Sequence, residues 1–131
     1  MRQLFTGCSN LISADLSNFD ILKVIDIDMA FKGCSNIIEI KLGKTSTPAL
    51  KQMSQLFEGC SKLTSIDLHH FDTTHVTTMA SMFKDCSSIK YLKLLNFQTT
   101  AIETVNSMFS GGTSFFYLNL YPFIIDNTKN W

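Results

Sequence analysis

The sequence predicts an α/β solenoid, on three observations. Phenylalanine recurs every 26 residues, at Phe5, Phe31, Phe57, Phe83 and Phe109, with no insertion or deletion. Cysteine follows in register at Cys8, Cys34, Cys60 and Cys86, each in a Gly-Cys-Ser-like triplet that begins at Gly7, Gly33, Gly59 or Asp85. Within each unit the apolar period switches from two to between three and four. A fixed period of about 20 to 50 residues marks units that bury their apolar faces only against their neighbours.

The strand half of each unit comes first. The third unit runs Leu63-Thr-Ser-Ile66-Asp-Leu68-His-His-Phe71, and its alternation at Ile66 and Leu68 is that of a short half-buried strand. Leu11/Ala14/Leu16, Ile37/Ile40/Leu42, Ile89/Leu92/Leu94 and Phe115/Leu118/Leu120 are its equivalents. The spacing of Leu50, Met53, Leu56 and Phe57, and of Val76, Met79, Met82 and Phe83, then predicts one short helix per unit with a single apolar stripe. Thr47 before Pro48 reads as a helix N-cap, with Thr73 and Thr99 in the same column. Gly7, Gly33, Gly59 and Gly111 read as the residues that end each helix in a left-handed conformation.

Nine of the eleven phenylalanines fall in two columns, the five above and Phe19, Phe71, Phe97 and Phe123, which predicts a stacked core spine. The whole chain, 1–131, reads as one domain of about five units: 5–30, 31–56, 57–82, 83–108 and 109–131, with 1–4 closing a preceding one. Two units depart from the pattern and are expected to be irregular. The second has Lys44-Thr-Ser-Thr-Pro48 where the others have an Asn-Phe-Asp segment, and the fifth has Gly112 in place of Cys. Met1 and Trp131 both fall inside a unit, and no capping unit shields either end, so the chain is expected to be part of a longer protein.

The pattern Leu-x-x-Leu-x-Leu-x-x-Phe with a closing Cys looks like a leucine-rich repeat. The runs Met79-Ala-Ser-Met-Phe-Lys-Asp-Cys-Ser-Ser and Leu63 to Val76 resemble the 26-residue repeat of bacterial surface proteins, related to the BspA-like leucine-rich repeats and found also in some protists. The likeness covers practically the whole chain. It implies a right-handed coil, display at the cell surface or outside the cell, and a non-enzymatic binding or adhesion role.

Composition narrows the function classes. Eleven basic residues balance eleven acidic ones, which argues against a nucleic-acid binder or a polybasic membrane-surface protein. The most apolar stretch, Phe115 to Ile125, is broken by Asn119 and Pro122 and falls short of the ~20 residues of a membrane span. No continuous apolar signal segment, Asn-x-Ser/Thr sequon, phosphate loop, nucleophile elbow or paired-carboxylate motif is present, and no enzyme and no cofactor are expected. The four cysteines allow disulfides, a metal site or a nucleophile. Columns spaced by ~4.8 Å suit none of these and favour a ladder of buried free thiols. His69, His70 and His75 lack the spacing of a metal motif and read as a surface cluster.

The outward strand positions carry the candidate site. One column reads Asp15, Lys41, Asp67, Lys93, Asn119, which sets opposite charges side by side and suggests lateral stabilisation. The flanking columns gather Tyr91, Leu95, Tyr117 and Tyr121 toward the C-terminal end, and these four are the candidate partner-binding residues. The partner expected there is a protein or a glycan. Two readings remain open: a binding module, or a rigid spacer or architectural subunit whose uncapped ends meet neighbouring repeats or assembly subunits.

Overall fold

The computed structural model describes residues 1–94, 96–115 and 117–119, the last three through their backbone. Among the described residues there are four short strands, β1 Ser13–Leu16, β2 Glu39–Leu42, β3 Tyr91–Lys93 and β4 Tyr117–Asn119, while the third unit, expected to form a strand at Ile66 and Leu68, makes only the isolated Ser65–Tyr91 bridge because it lacks the pairing with β2. β1 pairs with β2 in parallel, Ser13 opposite Glu39 and Leu16 opposite Leu42, and β3 pairs with β4 the same way, Tyr91 opposite Tyr117. Each partner lies 26 residues along the chain, so one unit lies on the next in register. Ala14, Leu16, Ile40 and Leu92 face the core, while Ser13, Asp15, Glu39, Tyr91 and Lys93 face out.

The segments expected to be helical are not. Among the described residues there is no helix. Alternate amides from Met53 to Gly59 donate to the following unit instead: Met53 to the Thr78 carbonyl at 3.2 Å, Gln55 to Ala80 at 2.8 Å, Phe57 to Met82 at 2.9 Å and Gly59 to Lys84 at 2.8 Å. Bonds of the same span join Met29, Phe31 and Gly33 to Ser54, Leu56 and Glu58, and Met79, Ser81, Phe83 and Asp85 to Thr104, Asn106, Met108 and Ser110. Between these rungs the chain makes three-residue turns, such as Glu58 N–H to the Gln55 carbonyl and Cys60 N–H to the Phe57 carbonyl. Gln55 at φ 57° and Gly59 at φ 76° are left-handed, as are their equivalents Met29, Ser81, Ser107, Gly33, Asp85 and Gly111. A left-handed residue cannot sit inside a right-handed α-helix, but it is required at the third position of a type II turn. Successive turns of this span return Met53, Leu56, Phe57 and Cys60 to the interior at three- and four-residue spacing, which imitates a helical stripe.

The threonine column also serves a different purpose from helix capping. Thr47 Oγ1 donates to the Asp72 carbonyl at 3.2 Å and accepts the Asp72 N–H at 3.0 Å. Thr73 does the same with Gln98, at 3.1 and 2.7 Å. Each buried hydroxyl therefore clips one unit to the next. Glu58 lies between Lys32 at 3.2 Å and Lys84 at 3.9 Å, joining three units.

The core is the stack of phenylalanines. Ring centroids from Phe5 to Phe31, Phe57, Phe83 and Phe109 are 5.2, 5.9, 5.5 and 6.0 Å apart in sequence, with the planes no more than 26° from parallel. These are offset-stacked distances, each pair contributing about 0.5–1.5 kcal/mol beyond the area it buries. In the second column Phe71 and Phe97 are buried, Phe19 is 47% exposed, and Phe123 lies outside the described residues. Thr45 interrupts that column in the second unit. A small apolar cavity of about 40 Å³ lies nearby, between Leu16, Leu42, Phe57 and Phe71.

The cysteines are free thiols. Cys34, Cys60 and Cys86 are buried, and each Sγ–H donates to a carbonyl of the preceding unit, Phe5, Phe31 and Phe57 respectively, at 3.0–3.2 Å. Cys8 departs from the expected ladder. It is exposed. Thiol titration of the native chain should give one label, rising to four in denaturant; zero labels in denaturant would mean disulfides, and four labels natively would mean that the column is not core.

Candidate functional site

Strand alternation delivers a row of polar side chains to the face opposite the turns. Tyr91 stands there on β3, 55% exposed, with its backbone in register with Tyr117. Tyr117 is described only through that backbone pairing, and Leu95 and Tyr121 lie outside the described residues. Of the four predicted site residues, the structure thus places the side chain of Tyr91 alone.

Around Tyr91 the surface forms a depression of about 380 Å³, lined also by Ile66, Asp67, His69, Lys93 and Asn96. A second, of about 360 Å³, shares Asp67 and His69 with it and reaches back to Lys41, Lys44 and His70. The second depression lies over a break in the sheet. No backbone hydrogen bond joins β2 to the 63–68 segment of the third unit, whereas the third unit meets β3 through the Ser65–Tyr91 bridge and the Lys90 N–H to Thr64 carbonyl bond. The break adjoins the aberrant segment that begins at Gly43 and Lys44. Gly43 is required where it is, since a Cβ there would come within 2.9 Å of the Ser17 carbonyl oxygen.

The charge column sets Asp15 opposite Lys41, as its spacing suggested, within reach of its charge but without a direct ion pair. Asp15 Oδ1 accepts the Ser17 N–H at 2.9 Å and its hydroxyl at 2.6 Å. Asp67 Oδ1 accepts the His69 N–H at 3.1 Å and lies 2.5 Å from His69 Nδ1. Lys41 reaches Glu39 of its own strand at 3.8 Å, an exposed pair contributing about 0–1 kcal/mol. Each carboxylate bonds two residues along its own chain because a short Asp side chain closes an Asx turn more readily than it reaches a long lysine. Lys44 and Lys93 make no ion pair with any described residue.

His69 and His70, set aside in the sequence as surface residues, lie with ring centroids 3.5 Å apart at the junction of the two depressions. The Asn96 amide donates to the His69 carbonyl at 2.9 Å and fixes the floor between them. The sequence signal for this grouping was the two-residue step from Asp67 to His69, which puts both on one face, and the column shared by Lys44, His70 and Asn96. Among the described residues no group of three His, Cys, Asp or Glu side chains could hold a metal, and no helix is long and apolar enough to cross a membrane. Tyr91 stands exposed at the edge of the first depression, beside Lys93.

A family model described as "Mycoplasma protein of unknown function, DUF285" matches residues 1–123. The chain belongs to the DUF285 family. No curated protein and no solved structure matches it. The matched span of this DUF285 chain contains every residue that lines the two depressions.

Titration of the DUF285 chain follows from these contacts. The hydrogen bonds of Ser17, His69 and Thr74 hold Asp15, Asp67 and Asp72 below the ordinary carboxylate value of 3.8. Such groups contribute stability above that value and lose it as pH falls through the lowered one. Asp28 works in the opposite sense, because burial raises it despite the Ser54 N–H it accepts. Burial pushes the Cys34 thiol up to about 11 and Cys86 to about 12, from 9.0. A raised group contributes below the unfolded value, and the contribution is lost as pH rises through the folded one. Thermal melts should therefore show a plateau between about pH 5 and 8, a fall below pH 4 as the three lowered carboxylates are protonated, opposed by Asp28, and a fall above pH 9. A melting temperature that climbs above pH 9 would contradict the burial of the thiols.

Proposed function

We propose that this DUF285 chain is a segment of a right-handed leucine-rich-repeat solenoid that acts as a non-enzymatic binding module at the cell surface. The fold reading rests on the 26-residue offset of every strand pair and on amide bonds that run from each unit to the next. The proposed coil differs from the form expected from the sequence by having consecutive turns in place of a helix. Kinship with the BspA-like repeats rests on the matching runs in the third and fourth units and implies the surface location.

The binding reading is carried by one observation: the outward strand face holds an exposed tyrosine at the rim of one of two depressions that share Asp67 and His69. Tyrosine presents a large contact area at low conformational cost, which is why it recurs at binding hot spots. The proposed partner is a protein or a glycan, and the contact is made by Tyr91 with Tyr117 and Tyr121.

A structural role as a spacer or architectural subunit is the second reading, favoured by Leu4 and, in the first unit, Phe19 and Leu22, which are 43–49% exposed. Changing Tyr91, Tyr117 and Tyr121 together to Ser separates the two. The binding module predicts retention of the purified chain on an array of glycans and extracellular-matrix proteins, at least tenfold weaker in the triple variant with its melt unchanged, a difference of about 1.4 kcal/mol. Equal retention of both chains, or none of either, would favour the spacer.

A further inference from the structure

The contacts that seat one unit on the next recur along the chain, and among the described residues one half of that contact set is left over in the first unit and the other half in the fifth. The carbonyls of Arg2, Leu4 and Thr6 accept no hydrogen bond from a described residue, whereas Asp28, Ala30 and Lys32 in the same columns accept the amides of Gln3, Phe5 and Gly7 at 2.9, 2.7 and 2.7 Å. The amides of Ser107, Phe109 and Gly111 meet no described carbonyl, whereas Ser81, Phe83 and Asp85 in their columns donate to Asn106, Met108 and Ser110 at 2.8, 2.9 and 2.7 Å. The first unit thus offers a row of acceptors and the fifth a row of donors.

The side chains follow the backbone. Leu4 is 43% exposed, while Ala30, Leu56 and Met82 of its column are 3% exposed or less. Phe5 and Phe109 are half-buried, whereas Phe31, Phe57 and Phe83 between them are buried. The exposed Cys8 donates to no described carbonyl, unlike the buried thiols of Cys34, Cys60 and Cys86.

A second copy with its fifth unit on the first unit of this one completes both rows at once. Arg2, Leu4 and Thr6 share columns with Asn106, Met108 and Ser110, so the amides of Ser107, Phe109 and Gly111 in one copy meet the carbonyls of Arg2, Leu4 and Thr6 in the other, in the register the chain already uses. Phe5 then stacks on Phe109 as Phe109 stacks on Phe83, and the Cys8 thiol meets the Phe109 carbonyl as Cys86 meets that of Phe57. Two first units face to face would set acceptors against acceptors, so the rows do not match in a symmetric pair. A contact between unlike faces leaves each copy with one face still open, and association continues in a line.

We propose that this chain associates head to tail with copies of itself, the fifth unit of one seated on the first unit of the next as a continuation of the coil. The inference bears on the architectural reading and uses none of the tyrosine face. It is tested on the full chain, in reductant, by sedimentation velocity from low micromolar to millimolar concentration, with the rate of Cys8 labelling measured over the same range.

The expected result is a series of species that extends past the dimer as concentration rises, with Cys8 labelled at least fivefold more slowly at the top of the range than at the bottom, because the thiol becomes buried in the contact. The variant Leu4→Lys, which places a charge in the contact at a position exposed in the single chain, should weaken association at least tenfold with the melt of the dilute chain unchanged. A monomer throughout, a series that stops at the dimer, assembly in which Cys8 labels as fast as in the dilute chain, or a folded Leu4→Lys chain that associates as the parent does would overturn it. Cys8 labelling is read on the parent chain, so it decides the proposal even where the variant does not fold. The array retention reads the tyrosine face separately, so the binding module survives if the chain stays monomeric.

Discussion

The hydrogen bond from an amide in one unit to a carbonyl 25 residues later is the constraint on which the rest of the structure depends. It recurs at Met29, Phe31 and Gly33, at Met53, Gln55, Phe57 and Gly59, and at Met79, Ser81, Phe83 and Asp85. A buried amide left without a partner costs about 1–3 kcal/mol, so one residue inserted in a unit would disrupt several such bonds together. That accounts for a period with no insertion or deletion across five units. With the ladder in place, the phenylalanine rings stack, the threonine hydroxyls reach the next unit, and the thiols point at carbonyls of the unit before.

The sequence was legible where one side chain had one interpretation. Alternation at Ala14 and Leu16, Ile40 and Leu42, and around Leu92 located strands, whereas the same alternation at Ile66 and Leu68 gave only the Ser65–Tyr91 bridge; the phenylalanine column located the core. It misled where two backbones share one pattern. Turns of three residues and a helix of 3.6 both return apolar residues at three and four, and only the left-handed residues at Gln55 and Ser81 tell them apart. Neither Gln nor Ser advertises a positive φ, so nothing in the composition of that column marked it. The threonines look like helix caps for a related reason: an exposed cap and a buried inter-unit clip use the same hydroxyl.

The candidate site was legible only at Tyr91. Its neighbours Asp67, His69, Lys93 and Asn96 come from two units and share a depression because those units stack, which no local pattern encodes. The charge column gave the right register at Asp15 and Lys41, but Asx turns to Ser17 and His69 take the direct bonds of the carboxylates. The two faces of the chain then divide the work. Turns, clips and stacked rings lock the back, while the front opens between β2 and the third unit without disturbing the ring stack, where Phe31 and Phe57 remain 5.9 Å apart.

The most direct test of this account is a measurement of through-hydrogen-bond scalar couplings on the ¹⁵N,¹³C-labelled chain. The inter-unit ladder predicts couplings from the amides of Met53, Gln55 and Phe57 to the carbonyls of Thr78, Ala80 and Met82. Couplings from the same amides to carbonyls four residues earlier would mean a helix in each unit, and would contradict the ladder on which the stack depends.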